Sequence, residues 1–523
     1  MKMTKRNGVF AVVLAGMIWT FASCSKDDDT IPANIEGNAI EVAQASTIAK
    51  PGTTVSVALS FADPGNGTML VIHRDEAPLR SVPLQDGQTS YTFEDILPAD
   101  LEEGDVVPYA FFIADEKNTI TSDASAFEVS VALYDEITIG SSPVYQIELP
   151  EDGIIETGKV KLAAGRKYWL PHSVHFMSGT ELQMEAGVEL YMNTETGETY
   201  DVVIDEGARV DVTGTATAPV VVTSDKLLRD QDAEPGDWGQ FNIKGEGNGS
   251  SSGHVEYLRV EYAGDRGFRL QGVGSGTTIN YVQAYRALGE GIMPTDGDVR
   301  MKYLVATNCE GGGFRFGDAY AGYVQFAISQ TTSFYDEVEA FTIRETASPV
   351  ISNVTVVGPG EDVDDTHGMR LRANSSGKVY NSIVADFPRR GLRLNDKVTV
   401  TDLQGSTVFA YSYIFNVPRD PYRDDTENGN PFRGYLDAEN VFQNPFFNNV
   451  TGFEDNDEDE PILATIDGIG TTSYIPQTVK NSAFNPASIH AFFSEANYVG
   501  AVSEAAADWT KGWVRDYEGN IHQ

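Results

Sequence analysis

The chain has 523 residues, 41% of them apolar, and a net charge of −40. That balance excludes nucleic acid and an anionic bilayer surface as partners, because both would be repelled. Cys24 and Cys309 are the only cysteines, which excludes a disulfide scaffold, so stability must come from apolar burial in two or more domains.

Residues 1–23 read as a lipoprotein signal peptide. Lys2, Lys5 and Arg6 form a basic head, and residues 9–21 form an apolar core too short for a membrane-spanning helix. Ala22 and Ser23 supply the small residues needed for cleavage, and Cys24 stands directly behind them, ready for acylation. Cleavage removes three basic and no acidic residues, taking the net charge from −40 to −43. Once Cys24 is lipidated, Cys309 has no cysteine to pair with. Residues 24–37 form a polar tether that opens with Ser25, Lys26, Asp27, Asp28 and Asp29. This acidic cluster resembles the tag that exports lipoproteins of Bacteroidota, so the expected location is the outer membrane, lipid-anchored and facing the cell exterior.

Residues 38–133 alternate apolar and polar positions over short runs, and strands are predicted at 55–61, 68–74, 91–93, 107–114 and 126–132. The stretch VPYAFFIADEKNTITSDASAFEVSV resembles the closing hairpin of an immunoglobulin-like or fibronectin-like β-sandwich, a module that commonly serves as a spacer.

Residues 134–405 are predicted to form a parallel β-helix, its repeating body running over 157–404. Six segments align, and their matching residues Val255, Ile279, Met301, Val324, Ile351 and Val379 recur every 22 to 28 positions. A repeat of that length without helical periodicity is one coil of a β-helix, stacked at the strand spacing of about 4.8 Å. Two positions on, Tyr257, Tyr281, Tyr303 and Phe326 are followed by Asn353 and Asn381; these read as internal stacks, first aromatic and then amide. Residues 406–523 lose the period and read as an irregular C-terminal cap over the open end of the helix. The fold class is all-β throughout.

The series GDWGQFNI, HVEYLRVEYAG, GVGSGTTINYVQA, MKYLVATN, GYVQFAIS and DWTKGW resembles a group of right-handed, pectin-lyase-like β-helix surface lipoproteins of Bacteroidota. The resemblance implies a partner of the SusC/SusD importer type beside an otherwise unassigned β-helix. Many such proteins carry paired aspartates in two of the turns, where this chain has Leu288, Gly289, Glu290 and Glu310, Gly311, Gly312; an acidic or metal role there is therefore not expected.

Polysaccharide lyase or glycoside hydrolase chemistry on this fold needs its own motifs. The NTD, GDD, GHG and RIK sets of the pectin hydrolases are absent, and no catalytic residue is assigned. A different feature stands out: Arg269, Arg315, Arg370 and Arg393 share one column of the repeat, interrupted by Met293 and Thr342. Apolar neighbours such as Phe268 and Leu270 point these arginines outward by period-two alternation. Two readings follow, a linear site for an acidic polysaccharide held by planar guanidinium forks, or a ladder neutralised by surface acids such as Glu256 and Glu261.

The aromatic-rich stretch containing Phe409, Tyr411, Tyr413, Phe415, Tyr422, Phe432, Tyr435, Phe442, Phe446 and Phe447 reads as part of the cap. No cofactor is expected, and calcium has no specific motif: the acidic run from Glu454 has Glu460 where an EF-hand loop needs glycine. Asp362, Asp364, Asp365 and His367 read as a solvated loop, and Cys309 as a buried thiol. The reading that results is a non-enzymatic surface lipoprotein presenting a β-helix to a ligand or partner beside a nutrient importer. The alternatives are a glycan-active enzyme and a purely structural or adhesive element.

Overall fold

The computed structural model describes residues 40–62, 68–332, 338–360, 366–372, 375–394, 407–417, 419–424, 449–451 and 483–523. Cys24 with the expected signal peptide and tether, Asp362, Asp364, Asp365, the run from Glu454 and the distal half of the aromatic-rich stretch lie outside those residues. The chain divides into two compact units, the first holding the N-terminal residues up to Thr47 together with Val55–Asp95 and Val107–Val129.

The N-terminal unit is built on two antiparallel sheets. One holds Ile40–Val42, Thr54–Phe61 and Ser90–Ile96; the other holds Ser46–Ala49, Ser125–Val131, Val106–Ala114, Met69–Arg74 and Ala77–Pro83. Thr54–Phe61 buries every second residue, Val55, Val57, Leu59 and Phe61, as period-two alternation requires. Phe93 of the first sheet meets Tyr109 and Phe111 of the second at 5.0 and 5.1 Å, which joins the two apolar faces. The five predicted strands are all present. Ala77–Pro83 was not predicted, because an edge strand exposed along most of its length carries no alternation.

The second unit is a parallel β-helix. Its first strands are the antiparallel hairpin Asp135–Ile139 and Ser142–Gln146, which joins the coils through Tyr145 beside Tyr168. Early coils have three separate strands, for example Glu181–Glu185, Glu189–Met192 and Val202–Ile204. From Gly253–Glu261 onward the first two strands fuse into one bent strand, and the third remains separate, as in Arg266–Gln271. The third strands form an 11-stranded parallel sheet among the described residues. Val255, Ile279, Met301, Val324, Ile351 and Val379 lie in register and are buried, as predicted. The helix also passes the predicted end at 405, since Val408–Ala410, Tyr413–Phe415 and Asp420–Asp424 add another coil.

Two expectations need correction. The aromatic and amide stacks exist, but not inside the tube. Tyr257, Tyr281, Tyr303, Phe326, Asn353 and Asn381 sit at the bend of each fused strand with φ between 53° and 63°, a left-handed conformation that turns the corner between two sheets. There the side chain leaves the tube, as does that of the residue before it, such as Glu256 or Lys302, while the residue after it, such as Leu258 or Leu304, fills the core. The tyrosines stack outside at 4.2 and 4.3 Å, and Trp513 and Trp509 meet them edge-on.

The second correction concerns the C-terminal cap. Residues 483–523 run along the side of the helix, held by three amide side chains that each bind one backbone residue through both its N–H and its C=O. Gln283 binds Arg515 in this way, Gln325 binds Ser494, and Asn381 binds Phe484, with every distance between 2.7 and 3.0 Å. Amides carry donor and acceptor on one rigid plane, so they extend the sheet's hydrogen bonding sideways. Val305, Ile328, Ala501, Val502, Trp513 and Val514 close the seam as an apolar cluster.

Candidate functional site: an arginine cleft on the third sheet

The arginine column holds in register. Asn242 pairs with Arg269 and Arg269 with Met293; further along, Arg315 pairs with Thr342, Thr342 with Arg370, Arg370 with Arg393, and Arg393 with Arg423. All four predicted arginines face away from the core, while the flanking Phe268, Leu270, Phe314 and Phe316 fill it.

Period-two alternation misses a second outward column. Gly267, Gly291, Gly313, Ala340, Gly368 and Gly391 precede the inward apolar residue and themselves point inward: a Cβ on Gly267 would meet the methyl groups of Ala284 and Ala287, and one on Gly368 would meet Val384. Two successive inward residues require a local irregularity, and the register skips this position in each coil. The residue before the glycine therefore shares the arginine face. This column runs through Arg266, Glu290, Gly312, Glu339, His367 and Arg390. The small residue ahead of each h-R-h motif was the sequence signal.

Together the two columns line a cleft of about 450 Å³. Arg315, Arg370 and Arg393 come from the predicted column. Arg344, Arg372, Arg389 and Arg390 join them, and among the described residues Glu290 and Glu339 are the acids in the lining. Arg269 lies farther along the sheet, outside this cleft, where burial and the nearby Arg266 push its pKa down. Arg315 reaches Glu290 at 2.5 Å, Arg370 pairs with Glu339, and Arg372 reaches Glu339 at 3.2 Å. Burial alone would raise the Glu339 carboxyl, yet the hydrogen bond from Arg370 and the charges of Arg370 and Arg372 outweigh it and hold the group below its usual range. It is thus kept ionised, the opposite of what a general acid for glycoside cleavage requires.

The acids expected to neutralise the ladder are elsewhere. Glu256 lies beside His254, and Glu261 is buried between Arg259 and Arg515, both on the fused strands and not on this sheet. Compensation comes instead from Glu290 and Glu339, which occupy the coils where Met293 and Thr342 interrupt the column. Among the described residues the site is therefore basic.

His367 is not in a solvated loop. It opens the strand His367–Leu371, is 4% exposed and lines the cleft. Burial first, then the charges of Arg390 and Arg393, lower its pKa from 6.5 to about 4, so the imidazole is neutral at pH 7. Among the described residues its Nδ1 has no hydrogen-bond partner, and neither does the Nε of Arg315, Arg370 or Arg372, although all four atoms are buried. Buried donors without partners are rare in folded proteins and mark places where a ligand or water completes the network. Cys309 lies in the core as expected, and burial pushes its thiol up to about 12.

A family model described as a pectate-lyase-like β-helix domain matches residues 153–250 and 243–429, more than half of the chain. No curated protein and no solved structure matches.

Proposed function

Because this chain belongs to the pectate-lyase-like β-helix family, and because a cluster of arginines lines a cleft of that helix, we propose that it binds an acidic polysaccharide. The observation that carries this reading is the excess of seven arginines over two glutamates among the described residues of a cleft of about 450 Å³, within a chain of net charge −40. A guanidinium fork matches a carboxylate through two parallel hydrogen bonds, and the unpartnered Nε donors supply part of that geometry. Glu339, held ionised by its arginines, favours binding over hydrolysis. In this reading lipid on Cys24 anchors the protein at the outer membrane, the N-terminal sandwich spaces it from the surface, and a SusC/SusD-like importer receives the ligand.

The direct test is calorimetry of the purified protein against oligogalacturonates and a neutral glucan of equal length. Binding of the acidic chain alone is expected, and joint replacement of Arg315→Gln and Arg370→Gln should weaken it by at least a hundredfold, at roughly 1.5–3 kcal/mol for each charged hydrogen-bond set. Equal affinity of wild type and double variant would sink the assignment. Recovery of an importer pair from mildly solubilised membranes tests the partner separately.

A further inference from the structure

We propose that His367 is a ligand-binding residue of the arginine cleft, and that a carboxylate seated there binds together with one proton taken up by the imidazole. This rests on the acidic-polysaccharide reading and adds its regulation.

The geometry places His367 between charges of both signs. Glu339 lies in register on the preceding coil and Arg390 on the following one. Arg390 approaches Nε2 at 3.4 Å, Arg370 is on the same strand, and Arg393 is one coil on. Among the described residues these are the charged groups that face the imidazole. Burial makes a proton on His367 unfavourable, and the nearby guanidinium groups add to that, which accounts for the pKa of about 4. Its Nδ1 is nonetheless buried, without a partner among the described residues, on a side chain that lines the cleft. A carboxylate there changes both conditions at once. It screens the arginines and accepts a hydrogen bond from Nδ1–H, so the protonated form becomes the favoured one.

Linkage fixes the sign. A histidine pKa raised by the ligand means that binding takes up a proton between the free value of about 4 and the bound value, and that affinity rises as pH falls through that window. Return of the bound value toward 6.5 would strengthen binding by about tenfold or more between pH 7 and pH 5. The carboxylates of a uronate chain stay ionised over this range, so the proton belongs to the protein.

The experiment is calorimetric titration of the intact protein with oligogalacturonate at pH 5.5, in two buffers of different ionisation enthalpy, for wild type, His367→Gln and His367→Asn. Expected is an uptake approaching one proton for wild type and close to none for the variants, whose affinities at pH 5 and pH 7 should agree within about twofold. Wild-type binding without proton uptake overturns the proposal whether or not the variants fold, and so does equal uptake by wild type and variants. In both cases the acidic-polysaccharide reading stands. Absence of binding at every pH removes that reading and this proposal with it.

Discussion

At the residue scale, the decisive arrangement is the pairing of one buried glutamate with two arginines. Glu339 is 11% exposed at its side chain and holds Arg370 and Arg372 in the cleft wall. Removing one partner of such a set leaves the others desolvated without compensation, and this cost exceeds what the intact set contributes. Glu339→Gln is therefore expected to lower stability by about 1–3 kcal/mol, read from urea denaturation. The same variant should recover more stability than wild type on addition of oligogalacturonate, because a carboxylate can replace the missing one. Destabilisation without recovery would separate the role of Glu339 in folding from any role of the cleft in binding.

At the element scale, the bend of the fused strand recurs in each coil from Gly253–Glu261 to Lys378–Ala385 and is filled by residues of unequal tolerance. Asparagine enters the left-handed region readily, whereas tyrosine and phenylalanine do so at a cost. The aromatic bends at Tyr257, Tyr281 and Tyr303 are offset by their stack and by Trp509 and Trp513. Asn381 combines a tolerant backbone, with φ of 54°, and two hydrogen bonds to Phe484. Asn381→Ala loses both bonds and places a β-carbon where it is strained, for an expected loss of about 2–4 kcal/mol. Because the bonds reach the C-terminal segment, limited proteolysis should also release residues 483–523 faster. Unchanged cleavage would mean that Trp513 and Arg515, with its partner Glu261, hold the segment unaided.

At the scale of the whole molecule, a strongly acidic chain presents a cleft that is basic among its described residues. Its long-range field repels a polyanion until the ligand is within about one Debye length, roughly 30 Å at 0.01 M salt and 8 Å at 0.15 M. Inside that distance the arginines dominate. Raising salt over this range should therefore speed association of a short oligogalacturonate while also speeding its release, a combination measurable by stopped flow or surface plasmon resonance. A basic protein would show slower association instead. If association slows with salt, the arginine cleft controls the approach as well as the contact. On the proposed function, the acidic surface disfavours loose attachment of polyanions elsewhere, and selectivity is expected to rest with the cleft.

Much of this architecture was legible in the chain itself. The spacing of Val255, Ile279, Met301, Val324, Ile351 and Val379 fixed the coil, because each coil must present an apolar residue at the same place to bury it against the next. Shared spacing also put Arg269, Arg315, Arg370 and Arg393 in one column, since register in a stacked coil follows from the repeat. Three things depended on the folded chain. Which residues flank the arginines turned on an irregularity at Gly267 and its counterparts, where two successive side chains point inward and a simple alternation goes out of phase. Whether the tyrosine stack lies inside or outside turned on the sign of φ at one residue per coil. The partners of the charges, Glu290 and Glu339 in place of Glu256 and Glu261, turned on which sheet each strand joins. Local pattern specifies what is buried, and pairing between distant strands specifies which polar groups meet. The chemistry of this cleft belongs to the second kind of information.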